Sequence, residues 1–129
     1  MTTIRFFAVL PLLRGLRRAP NGGKAGRPIL AVQTVRLVFE KPQRLARIAL
    51  VFDEKETERT QEFILRWSED GRRSFREIVR QQWNFSLNTI REVENYRVEL
   101  ADVRVLELVI VPEISGGATR ASLTSLRLS

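Results

Sequence analysis

Gln61-Glu62-Phe63-Ile64-Leu65-Arg66-Trp67-Ser68-Glu69-Asp70-Gly71 is the stretch from which the fold is read. Phe63, Leu65 and Trp67 fall at every second position, between Glu62, Ile64 and Arg66. A two-residue period puts one set of side chains on one side of a β-strand, as a strand with one buried face requires. Ser68-Glu69-Asp70-Gly71 then supplies a turn, because Ser and Asp side chains bond nearby main chain and Gly tolerates positive φ. Phe75-Arg76-Glu77-Ile78-Val79 follows as a returning strand.

The same period extends outward. Val35, Leu37 and Phe39 alternate around Arg36, and Lys41-Pro42-Gln43 is expected to turn the chain. Ile48, Leu50 and Phe52 form the next apolar face, and 53–60 is a charged connection. Tyr96, Val98 and Leu100 alternate with Arg97 and Glu99. Between Val103 and Val111 only Arg104 and Glu107 are charged, as suits a central strand covered on both sides. Pro, Ser and two Gly mark 112–119 as a loop, and Ala121 to Leu128 reads as a closing strand with a bulge near Thr124. No segment sustains a helical period. The pattern predicts an all-β fold of seven or eight short strands, a sandwich or barrel.

These pieces together resemble the discoidin-like domains, also called coagulation-factor type C or galactose-binding-like domains. Val35 to Phe39, Lys41-Pro42 and Leu45 to Phe52 are similar to that family's opening strand pair. Ser68-Glu69-Asp70-Gly71 with Phe75 resembles its middle signature. Tyr96-Arg97-Val98-Glu99-Leu100 with Val105 to Val111, and Ala121 to Leu128, resemble its last strands, with Ser125 in place of the usual acid. The similarity covers residues 33–128. It implies a jelly-roll β-sandwich that binds sugars, lipid head groups or proteins through its end loops. Residues 1–30 depart from the family: they hold no Asp-Gly, no Trp and no acid, so the family's ligand end and calcium site are not carried over.

Composition narrows the chemistry. The 129 residues suit one domain, here divided into a basic segment 1–30 and a β domain 31–129. There is no cysteine and no histidine, which excludes a disulfide framework, a Cys-His pair, a Ser-His-Asp triad and a His-ligated zinc. The lack of cysteine suits a reducing compartment, and a cytoplasmic location is the expectation. The apolar run at 4–13 is too short to span a bilayer, so no transmembrane segment is expected. The net charge is +7, and Arg5, Arg14, Arg17, Arg18, Lys24 and Arg27 place +6 of it in residues 1–30.

Arg80-Gln81-Gln82-Trp83-Asn84-Phe85 and the residues to Thr89 form the leading binding candidate. An aromatic face accepts the CH surface of a sugar ring while amide and guanidinium groups bond its hydroxyls. Arg80, Gln81, Trp83, Asn84 and Phe85 are the expected ligand contacts. The competing reading puts Trp83 and Phe85 on one side of a strand, packed into the core. Arg14, Arg17, Arg18, Lys24 and Arg27 are the expected anion contacts, on nucleic acid or an anionic surface, against the plainer reading of an inert arm. Asp53, Glu54, Glu56 and Glu58 lack the pattern of a calcium loop and read as a solvated turn. Glu77, Glu92, Glu94, Glu99 and Glu107 could pair for glycoside hydrolysis. On strands most would face solvent or meet an Arg, and Glu107 is the one to check for a perturbed pKa. The expected function is therefore a noncatalytic binding module for carbohydrate, with no cofactor and no metal. The alternative is a protein-interaction or scaffold domain, with weak nucleic-acid contact through the arm. Open strand edges also point to a homodimer.

Overall fold

The computed structural model describes residues 2–5, 32–71, 73–114 and 121–129, with residues 2–5 described by their backbone. The described residues are all-β. They form β1 (Thr2–Arg5), β2 (Gln33–Asp53), β3 (Arg59–Ser68), β4 (Arg76–Phe85), β5 (Arg91–Val111) and β6 (Ser125–Leu128). All belong to one antiparallel sheet with the order β1-β6-β2-β5-β3-β4. No helix among them is long and apolar enough to cross a membrane.

β2 and β5 have 21 residues each and pair along most of their length. One end of this ribbon, Val35 to Val38 against Val105 to Leu108, continues through β5 into β3 and β4. The other end, Arg47 to Asp53 against Arg91 to Arg97, continues through β2 into β6 and β1. The ends are folded onto each other. Phe52 pairs with Glu92 on β5, and Phe63 pairs with Ile110 on the same strand. Residues 92 and 110 would stand about 60 Å apart on a straight strand. Yet the Phe52 and Phe63 rings stack with centroids 5.2 Å apart. The ribbon therefore bends back, and two halves of one sheet enclose the core.

The bend lies where the β2–β5 register shifts, between Val38, Gln43, Leu45 and Arg47. Lys41-Pro42-Gln43 is thus not a turn between two strands. β2 runs through it, and exposed Pro42, which has no N–H to give, sits where the ladder is irregular. Across from it Asp102 takes φ 57, a left-handed conformation that Asp tolerates better than most residues. Tyr96 to Leu100 and Val103 to Val111 are accordingly one strand.

Ile48, Leu50, Phe52, Phe63, Leu65, Val103 and Ile110 are fully buried and come from both halves. Burying each such side chain contributes about 1.5–3 kcal/mol. The Ser68–Gly71 turn is built as expected: Ser68 Oγ donates to Asp70 Oδ1 (2.8 Å), and the Gly71 amide donates to Ser68 Oγ (2.8 Å). The closing strand is shorter than expected. Leu123 is buried but precedes β6, so its phase against Leu126 and Leu128 reflects a non-strand segment.

The far end is clamped by side chains. Glu54 accepts from the amides of Glu56 (3.0 Å) and Thr57 (2.9 Å) and from the Arg59 guanidinium (2.8 Å). Asp53 accepts from Arg91 Nε (2.8 Å) and Thr124 Oγ1 (2.6 Å). The Arg91 hydrogen bond holds the Asp53 carboxyl below the usual carboxylate range. The charged connection is thus a structural clamp, and no cluster that could hold a metal occurs among the described residues.

Candidate functional site

β4 carries the sequence from Arg76 to Phe85, so the expected binding residues lie on a strand rather than in an end loop. A strand sends neighbours to opposite faces. Gln81, Trp83 and Phe85 point inward, and Arg80, Gln82 and Asn84 point out. Arg80 is engaged with Glu77 (3.0 Å) and Glu62 (3.4 Å). Asn84 Oδ1 accepts from Thr60 Oγ1. Phe85 is buried beneath the Arg59 guanidinium, 5.7 Å from its ring centroid. The expected set is therefore divided between two faces, and only Gln81 and Trp83 remain together on a half-buried one. Trp83 is packed against the core, and its Nε1 is buried without a hydrogen-bond partner. Arg14, Arg17, Arg18, Lys24 and Arg27 lie outside the described residues.

A second set of polar residues turns towards the same core. Leu87 and Asn88 form the tip of the connection to β5, closed by Ser86 N to Thr89 O (3.1 Å) and Thr89 N to Ser86 O (3.0 Å). β5 then turns Glu92, Glu94 and Tyr96 inward, each paired with a buried residue of β2: Phe52, Leu50 and Ile48. Tyr96 donates to Glu94 Oε2 (3.1 Å), and its ring tilts against Phe63 at 6.5 Å. That contact brings the first part of β5 against the β3–β4 half. Gln61, paired with Trp83, adds a buried amide on the same face. Neither the Gln61 amide nor the Glu92 carboxyl has a hydrogen-bond partner.

Electrostatics single out one carboxyl. Burial, with a smaller push from Glu94, raises Glu92 to about 8, so it is protonated at neutral pH. Burial and the neighbouring Glu94 and Glu92 likewise raise the Tyr96 phenol. At neutral pH the face thus offers a carboxylic acid, two amides, a phenol and an indole N–H. With the Glu94 carboxylate that accepts from Tyr96, these are donors and acceptors beside two aromatic rings, a combination suited to a polyhydroxyl ligand.

Glu107 is different. It is buried on the opposite face of β5, between Arg36 of β2 and Arg66 of β3, and ion-pairs with both. This is the neighbouring-strand pairing expected for it. The perturbed carboxyl is Glu92, and its position could have been read: Leu100, Val98 and Tyr96 alternate, and the same phase continued backwards reaches Glu94 and Glu92. Gln61 likewise lies in phase with Phe63. No protein-family model matches the chain, and no curated protein matches it.

Proposed function

We propose that this chain is a noncatalytic recognition module of the jelly-roll, discoidin-like kind, and that its ligand is a carbohydrate. The observation that carries the reading is two buried, unpartnered polar side chains, Gln61 across from half-buried Trp83 and Glu92 near half-buried Tyr96. Leaving a buried polar group unsatisfied costs about 1–3 kcal/mol. Hydroxyl groups of a sugar can donate and accept at such positions, while the rings cover its CH surface. Gln81, Trp83, Glu94 and Tyr96 would form the accessible rim, with Gln61 and Glu92 beneath.

A glycan array tests this with the wild-type protein, Gln81→Ala and Trp83→Phe, each checked for folding by its melting curve. Binding to a defined glycan, weakened by Gln81→Ala in a protein that still folds, supports the proposal. A folded wild-type protein that binds no glycan refutes it.

The packing of Trp83 against the core favours a second reading, a protein-interaction module. Under it, β4 is the element of interest. β4 ends the strand order and pairs with β3, and no strand lies on its second edge among the described residues. An open edge can accept a strand from another chain, including a second copy. Light scattering on the eluted protein distinguishes a monomer from such a homodimer.

A further inference from the structure

The outer face of the β2–β5–β6 half carries a cationic depression. Ala49 has Asn95 of β5 directly on one side and Arg127 of β6 directly on the other. Its methyl group is short among long neighbours, and a pocket of about 70 Å³ opens there, lined by Arg47, Ala49, Asn95, Arg127, Leu128 and Ser129. Two rungs along, on the same face, Arg47 and Arg97 are direct cross-strand partners. Like charges placed opposite each other on a sheet repel. Both side chains are exposed, and neither has an acidic partner among the described residues. Exposed Glu99 shares this face, but on the far side of Arg97 from Asn95. The Ser129 main-chain oxygen is taken by the amides of Ala46 (2.7 Å) and Arg47 (2.9 Å).

We infer that this depression binds a tetrahedral oxyanion, a sulfate or phosphate group. Arg47, from the lining, and Arg97, its cross-strand partner beside the pocket, supply guanidinium forks, whose planar donors match the oxygens of such a group. The Asn95 amide donates from the opposite wall, and Ala49 leaves the room. An anion seated there converts a repulsive arginine pair into a shared ligand. The site lies on the face opposite Trp83 and Glu92, so it stands or falls independently of carbohydrate recognition there.

The probe is inorganic sulfate, added at an ionic strength held constant with chloride. Binding is read from the Asn95 side-chain amide resonance and the melting temperature. Saturable binding is expected. Arg47→Gln and Arg97→Gln should each weaken it about tenfold, the scale of one charge-assisted hydrogen bond. Ala49→Leu should abolish it without any change in charge. In chloride alone, Arg97→Gln should raise the melting temperature by relieving the repulsion. Glucose 6-sulfate and glucose 6-phosphate form the second arm: tighter binding than the inorganic ion identifies a group carried on a larger ligand, and equal binding identifies the free ion. A response matched by chloride, or unchanged in all three variants, overturns the assignment. So does a lower melting temperature for Arg97→Gln in chloride, since the arginine would then already have a partner within the protein.

Discussion

Glu92 of β5 stands directly across from Phe52 of β2, and both side chains are fully buried. A carboxyl in the same cross-strand rung as a core phenylalanine is stable there only as the neutral acid.

Stability should consequently fall as pH rises. The folded-state pKa of Glu92 is about 8, against an ordinary value of 4.5. The folded protein holds this proton between those values and the unfolded chain does not. The contribution is thus complete below the unfolded pKa and is lost towards pH 8, at about 1.4 kcal/mol per pH unit. Asp53 acts in the opposite sense and at lower pH, because its folded pKa is depressed. Denaturant titrations at pH 5, 6.5 and 8 measure the slope. Glu92→Gln should flatten it, and a wild-type protein equally stable at pH 5 and pH 8 contradicts the assignment.

Glu107→Gln should cost about 1–2 kcal/mol, the value of charge-assisted bonds to partly exposed partners. Arg36 and Arg66 keep about half their side-chain exposure, at 54% and 42%, so water can solvate them once Glu107 is neutral. Phe75 lies 5.0 Å from the Arg66 guanidinium and 6.0 Å from that of Arg36, and it retains contact with both. Chemical denaturation of Glu107→Gln checks the figure. A loss above about 4 kcal/mol would mean that the arginines are trapped without solvent.

Gly71→Ala should destabilise by more than about 1 kcal/mol, because two penalties coincide. Gly71 has φ +74, and a Cβ there would come within 2.9 Å of Val105 Cγ2. Val105→Ala should recover part of the loss in the double variant by removing the clash, leaving the left-handed backbone cost. A shift in the Gly71→Ala melting temperature that Val105→Ala does not reduce would attribute the whole effect to φ.

Asp102→Gly should be neutral or stabilising, and Asp102→Val should lose about 1–2 kcal/mol, since a β-branched residue resists the left-handed region that Asp102 occupies. Comparing the two melting temperatures isolates the backbone term at the bend. Equal effects of Gly and Val would show that Asp102 acts through its side chain instead.

The sequence by itself determined the all-β class, the buried face Phe63-Leu65-Trp67, the Ser68–Gly71 turn and the pairing of Glu107 with strand-neighbour arginines. Each is a local matter: side-chain period, turn chemistry, or a charge that must find a partner beside its own strand. Tertiary structure alone decided that β2 and β5 pass unbroken through Pro42 and Asp102. A bent strand and a turn between two strands differ in what pairs across them, and that depends on residues far along the chain. It also decided that Phe52 meets Phe63 and that polar atoms of Gln61, Trp83 and Glu92 are buried without partners. Only folding the ribbon back on itself gives strand faces from opposite ends of the sheet a common interior. The outer arginines follow the same rule. Arg47 and Arg97 stand 50 residues apart in the chain, and their opposition exists only because the register shifts at the bend place them on one rung.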